Sequence, residues 1–86
     1  MGYEFEFTQN AYKQYQYWIK KDKKILKKIN ELIKETQLNP FDGKGKPEAL
    51  KFTLTGCWSR RINHEHRLVY MIKDNKLIIL QCRYHY

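Results

Sequence analysis

Hydrophobic and polar positions change period twice along this chain, and each change marks a new kind of element. Tyr3, Phe5 and Phe7 alternate with Glu4, Glu6 and Thr8, the period-two pattern of a half-buried strand. Thr8 can then cap a helix. Ala11, Tyr12, Tyr15, Trp18 and Ile19 follow at helical spacing and predict its buried stripe. A break near Lys21 leads to Asp22, a second capping residue. Ile25, Leu26, Ile29, Leu32 and Ile33 then recur at i, i+1, i+4, i+7 and i+8. The opposite face of that helix carries Lys23, Lys24, Lys27, Lys28 and Lys34, which read first as solvated surface and only second as a dock for ribosomal RNA. The helix is expected to end around Gln37, ahead of Asn39–Pro40.

The segment NPFDGKGKP, from Asn39 to Pro47, concentrates prolines and glycines and predicts an ordered loop pinned to the core by Phe41. Beyond it the period returns to two. Strands are expected over Leu50 to Leu54, Cys57 to Asn63, Arg67 to Lys73 and Lys76 to Tyr84, joined by tight turns at Thr55–Gly56 and Asp74–Asn75 and by a longer connection at His64–Glu65–His66. Alternation sets Trp58, Arg60 and Ile62 against Ser59, Arg61 and Asn63, and Arg67, Val69 and Met71 against Leu68, Tyr70 and Ile72. The expected fold is α+β, a single domain over residues 1–86. Its two N-terminal helices pack on one face of a small, twisted, mainly antiparallel five-strand sheet, and the other face carries the polar groups.

Composition sharpens this picture. Aromatics make up 15% of the 86 residues and hydrophobic residues 42%, too many for a disordered chain. Seventeen Lys and Arg against nine Asp and Glu give a formal charge of +8. Such an excess attracts polyanions through counterion release, nucleic acid foremost, and also suits an acidic protein partner. No apolar run approaches the roughly 18 residues that cross a bilayer, and Glu4 and Glu6 stand where a secretion signal needs a basic flank. Cys57 and Cys82 lack CxxC spacing and read as reduced thiols of a cytoplasmic protein.

The candidate chemistry lies after the loop. Glu48 follows Pro47, between Lys46 and Lys51; composition alone favours an exposed ion-pair partner of little energetic weight. His85 is more pointed, because a penultimate imidazole has few packing reasons to be there. His64 and His66 supply no third metal ligand at suitable spacing and read as turn residues. Gly43 and Gly45 are not followed by the GK[ST] of a phosphate loop. As a set, however, these residues suit metal-free RNA cleavage: a base for the 2′-hydroxyl, an acid for the leaving 5′-oxygen and fixed cations on the phosphorane-like transition state. Glu48, His85 and the pair Arg61 and Arg67 match those roles, and Tyr84 or Tyr86 can stack on a splayed base.

The stretches KKINELIKET, PFDGKGKPEALK, GCWSRRINHEHRLVY and the terminal CRYHY resemble the YoeB-type toxins of the RelE-like family, from about Asp22 to the last residue. Ala49 and Cys57 stand where that family leads one to expect a proline and an aromatic, and neither is a catalytic position. The resemblance implies a RelE-like fold and a ribosome-dependent endoribonuclease that cuts messenger RNA in the decoding site without a cofactor or metal. It implies Glu48 as general base, Arg67 as transition-state cation, His85 as general acid and Tyr86 as a substrate-positioning group, with Lys51 and Arg61 on phosphate. It further implies an acidic YefM-type antitoxin that masks the site, and operator DNA binding only through the antitoxin complex. A monomer and a homodimer both remain compatible. Two other readings share the same charge and shape: a non-catalytic RNA- or ribosome-binding module, and a corepressor acting only inside an antitoxin complex. Turnover on programmed ribosomes separates them from the enzyme.

Overall fold

In a computed structural model, which describes residues 2–85, the chain runs β1 (Glu4–Phe7), α1 (Gln9–Lys21), α2 (Lys23–Leu38), β2 (Glu48–Ala49), β3 (Trp58–Arg61), β4 (Arg67–Lys73) and β5 (Lys76–Gln81). Both expected caps form. The Thr8 hydroxyl oxygen accepts the Ala11 N–H at 3.1 Å. Asp22 does double duty: its N–H donates to the Trp18 carbonyl at 3.0 Å, while its Oδ1 accepts from the N–H groups of Lys24 at 3.0 Å and Ile25 at 3.2 Å. One residue therefore ends α1 and starts α2, and the helices fold back on each other with no intervening loop. Each such cap is worth about 1 kcal/mol.

The sheet order is β1-β5-β4-β3-β2. β1 pairs parallel with β5, in the register Phe5 opposite Leu77, and the other pairings are antiparallel. The sheet is thus mainly antiparallel, as expected. Its core lies under the helices, where Ala11 and Trp18 of α1 and Ile29, Leu32 and Ile33 of α2 meet Leu68, Tyr70, Leu77 and Ile79. Tyr12 and Ile19, expected in the stripe of α1, remain 51% and 47% exposed at its margins.

Two expected strands are corrected. Leu50 to Leu54 is not a strand: pairing is confined to Glu48–Ala49, and Phe52–Leu54 forms a single 3₁₀ turn. The Thr55 hydroxyl and N–H both donate to the Phe52 carbonyl, at 2.7 and 3.1 Å. Local turn bonds of this kind compete with a ladder, and they hold Phe52 at φ 59°. The last strand stops at Gln81 rather than Tyr84, because the chain reverses through Tyr84 at φ 68°.

The loop before β2 is ordered as expected, but by another anchor. Phe41 packs its ring on Trp58 with centroids 4.8 Å apart, yet stays 52% exposed. The principal tether is Arg60, which is fully buried. Its guanidinium donates to the carbonyls of Lys44 and Asp42, each at 2.8 Å, and of Asn39, and to the Tyr70 hydroxyl at 3.2 Å. Tyr70 in turn donates to the Pro40 carbonyl at 2.6 Å. Gly45, at φ 84°, lies so close to the sheet that a Cβ there would sit 3.0 Å from Arg60 Cβ and from Leu32 Cδ2. Only glycine fits that approach without strain. The loop is thereby fastened along its length and delivers the chain to Glu48.

Candidate active site

The site is built by strand register. Glu48 stands opposite Ser59, Ser59 opposite Val69 and Arg61 opposite Arg67. Directly opposed residues share a face, as do residues two apart in one strand. Glu48, Arg61 and Arg67 therefore share the face away from the helices, on neighbouring strands about 4.8 Å apart. A bulge at Val69/Tyr70 shifts the next pairing so that Gln81 stands opposite Val69. The Gln81 side-chain amide donates to the carbonyls of Tyr84 and His85, both at 3.2 Å, which brings the tail back over the same row.

Arg67 is buried, at 8% exposure. Its Nη1 donates to the carbonyls of Asn63 at 2.6 Å and His66 at 3.1 Å. Backbone acceptors thus set the orientation of the guanidinium from one nitrogen, a rigid mounting for a planar cation. Arg61 is exposed, and its N–H donates to the Gly45 carbonyl at 2.7 Å, so strand β3 and the loop leading to Glu48 move together. Glu48 and Lys51 are exposed. Lys51 begins the 3₁₀ turn, its carbonyl accepting the Leu54 N–H at 3.1 Å. Tyr84 is 52% exposed, with the Arg83 guanidinium carbon 4.4 Å from its ring centroid. His85 is exposed. Tyr86 lies outside the described residues.

Three residues of consequence escaped the sequence reading. His66, read there as a turn residue, is buried at 7% exposure, and its Nδ1 accepts the Tyr84 N–H at 2.7 Å. Arg83 stacks its guanidinium 3.6 Å from the Tyr17 ring centroid, and its Nε is buried with no partner among the described residues. Phe52 is 90% exposed beside Lys51, at a backbone angle that aromatics rarely adopt. An aromatic next to a lysine was a signal present in the sequence; its exposure was not. Trp18, which was read as core, also donates its Nε1–H to the Cys82 carbonyl at 2.8 Å and so tethers the root of the tail. Burial pushes the Cys82 thiol up to about 12 and raises that of Cys57, so both sulfurs are neutral packing groups near pH 7 rather than nucleophiles. Among the described residues no three His, Cys, Asp or Glu gather where they could hold a metal ion.

Comparison with known proteins identifies the family. The sequence profile of the YoeB-like toxins of bacterial type II toxin–antitoxin systems matches residues 7–86. The chain belongs to this family. It is 58% identical over 80 residues to Toxin YoeB of Escherichia coli strain K12, covering 93% of this chain and 95% of that one. The YoeB dimer of Staphylococcus aureus superposes with a TM-score of 0.91 at 50% identity, over the full length of both chains. The toxin in the heterotetrameric YoeB–YefM complex of Staphylococcus aureus gives 0.89 at 50% identity, again over both full lengths. The protein is accordingly the toxin of a type II toxin–antitoxin system, with the RelE-like α+β fold expected of it.

Proposed function

We propose that this toxin is a metal-free endoribonuclease that cuts messenger RNA in the decoding site of the ribosome and so stops translation. The observation that carries the reading is the common face on which Glu48, Arg61 and Arg67 stand, with the tail folded back over it through Gln81. In the reaction, the Glu48 carboxylate takes the proton of a ribose 2′-hydroxyl. The 2′-oxygen attacks the adjacent phosphorus, and the bond to the 5′-oxygen of the next nucleotide breaks as His85 donates a proton to it. The products carry a 2′,3′-cyclic phosphate and a 5′-hydroxyl. Arg67 stabilises the charge that grows on the phosphorane oxygens, its orientation set in advance by backbone acceptors. Arg61 and Lys51 neutralise neighbouring phosphates, and Tyr84 stacks on a base. Tyr86 positions substrate beside His85.

The same reading supplies the partners. Solved relatives include a YoeB dimer and a YoeB–YefM heterotetramer, and an acidic YefM-type antitoxin complements the +8 charge of this chain. Phe5, Ile19 and Leu26, rimmed by Lys23, Lys27 and Lys34, line a groove of about 610 Å³ suited to an acidic amphipathic segment of that antitoxin. Operator DNA is then contacted through the complex, the toxin also pairs as a homodimer, and its place of work is the cytoplasm. No helix of the described residues is long and apolar enough to cross a membrane.

The deciding experiment is primer extension on messenger RNA from programmed ribosomes mixed with purified toxin. Discrete new ends bearing 5′-hydroxyls, absent with Glu48→Gln, are the expected result. Protection of the message without cutting would instead make the protein a ribosome-binding module.

A further inference from the structure

β5 ends at Gln81, before the tail that carries His85. Beyond the Gln81 bonds already described, the tail is held at Tyr84, through that residue's N–H and carbonyl. The Tyr84 N–H donates to His66 Nδ1 at 2.7 Å, and the Tyr84 carbonyl accepts the Arg67 N–H at 3.0 Å. Two consecutive residues, His66 and Arg67, thus grip the residue just before His85. The His66 ring is itself immobilised, edge-on to Trp18 with centroids 4.8 Å apart and buried. Its acceptor role defines its state. A histidine accepts at Nδ1 only when neutral with the proton on Nε2, and Nε2 lies 3.6 Å from a carboxylate oxygen of Glu65.

We propose that His66 is a positioning residue for the cleavage reaction: its neutral Nδ1 fixes Tyr84, and thereby the place of the His85 imidazole relative to Arg67. The inference rests on the ribonuclease reading above. The physical reason is leverage. Tyr84 sits at φ 68°, a conformation a tyrosine does not hold unaided; the Arg67 and Gln81 bonds hold its carbonyl, and the bond to His66 is the one that holds its N–H. Misplacement of a reacting group by about 1 Å is enough to cost about 10²-fold in rate. A carboxylate oxygen of Glu65 faces the ring at Nε2, and Trp18 and Tyr84 contribute neutral rings; of the neighbouring cations, Arg67 bonds the His66 carbonyl and Arg83 on the tail has its guanidinium carbon 5.9 Å from the Trp18 ring centroid. An imidazole that carries protons on both nitrogens has no acceptor left for the Tyr84 N–H, so only the neutral ring can make this bond.

The test compares the full-length parent with His66→Asn and His66→Leu. The asparagine side-chain oxygen can stand where Nδ1 stands and does not titrate, whereas leucine fills space without accepting. Two quantities are measured: hydrogen exchange of the Tyr84 amide by NMR, with the Leu68 and Tyr70 amides as internal controls, and cleavage on programmed ribosomes from about pH 5.5 to about pH 8. His66→Leu is expected to speed Tyr84 exchange by at least about tenfold, with the controls unchanged, and to lower cleavage by about 10²-fold. His66→Asn is expected to keep both near parental values and to lose less rate than the parent toward acid pH. Glu48 and His85 are present in both proteins, so their contributions cancel in that comparison. Parental cleavage in the leucine variant, failure of asparagine to rescue, or superimposable pH profiles of parent and asparagine variant would each overturn the proposal. If the leucine chain does not fold, the parent–asparagine profile decides. If the parent itself does not cut, the ribonuclease reading fails, and Tyr84 exchange in the variants alone decides whether His66 holds the tail.

Discussion

Arg60→Met is the most searching perturbation of the scaffold, because two large effects oppose each other there. Arg60 is fully buried, and its guanidinium donates to three backbone carbonyls and one hydroxyl. Desolvating a guanidinium costs several kcal/mol, and methionine removes that cost while keeping most of the apolar stem. Against it stand four acceptors that lose their donor: the carbonyls of Asn39, Asp42 and Lys44 and the Tyr70 hydroxyl. Bonds to a charged donor contribute about 1.5–3 kcal/mol each. Loop carbonyls can recover water if the loop lifts, but lifting breaks the Arg61 N–H bond to Gly45 and the Tyr70 bond to Pro40. The acceptor loss wins, and a net destabilisation of about 2–4 kcal/mol is expected, a large share of the roughly 5–15 kcal/mol of a small domain. Urea unfolding followed by the fluorescence of Trp18 and Trp58 reads this as a midpoint lowered by about 1–4 M, for a slope of about 1–2 kcal/mol per M. Hydrogen exchange at the Arg61 amide should accelerate in the same variant under native conditions. A midpoint shift corresponding to less than about 1 kcal/mol, or an Arg61 amide still protected, would show that the loop is held by something other than Arg60.

Further outcomes follow from the site and from the buried thiols. Glu48→Gln is expected to keep ribosome binding and lose about 10²–10⁴-fold in cleavage; a loss below tenfold in single-turnover assays would remove Glu48 from the base role. Arg67→Lys should fall by at least about tenfold, because an ammonium cannot reproduce the oriented planar fork, and near-parental rates would reduce Arg67 to a point charge. Deleting His85 and Tyr86 should abolish cleavage while leaving a cooperative thermal melt by circular dichroism, since Trp18 still holds Cys82 and His66 still holds Tyr84; a chain so shortened that cuts at the parental rate would exclude the tail from catalysis. Alkaline pH should destabilise the fold. Burial raises Cys82 from 9.0 to about 12, and raises Tyr70 from 10.0 against the smaller lowering influence of Arg60. A group whose folded pKa is raised keeps its stabilising effect below its unfolded pKa and loses it as pH rises toward the folded one. Stability should therefore fall above about pH 9, by up to about 1.4 kcal/mol per pH unit per group. Thermal melts of parent and Cys82→Ala check this, the decline being shallower in the variant.

Local chemistry alone determined much of this protein. Thr8 and Asp22 cap their helices because a short oxygen beside the first free N–H groups suffices, whatever the rest of the chain does. β4 spans Arg67–Lys73, as its apolar run predicts, and Asp74 and Asn75 take φ 52° and 63°, the tight turn their short polar side chains tolerate. The candidate residues were equally legible one by one, as residue types in recognisable stretches. Their assembly was not. That Glu48, Arg61 and Arg67 share a face depends on registers between strands distant in sequence, and the bulge that aligns Gln81 with Val69 has no mark of its own in the chain. The strand expected at Leu50 to Leu54 gave way to a turn because its carbonyls found nearer donors. Alternation set Arg60 beside Trp58 and Ile62, and His66 read as a turn residue, but hydropathy carries no information about which carbonyls or N–H groups will converge on a polar side chain. Only the closed tertiary structure brings Asn39, Asp42 and Lys44 around one guanidinium and Tyr84 onto one imidazole, and burial then makes those bonds strong enough to position the site.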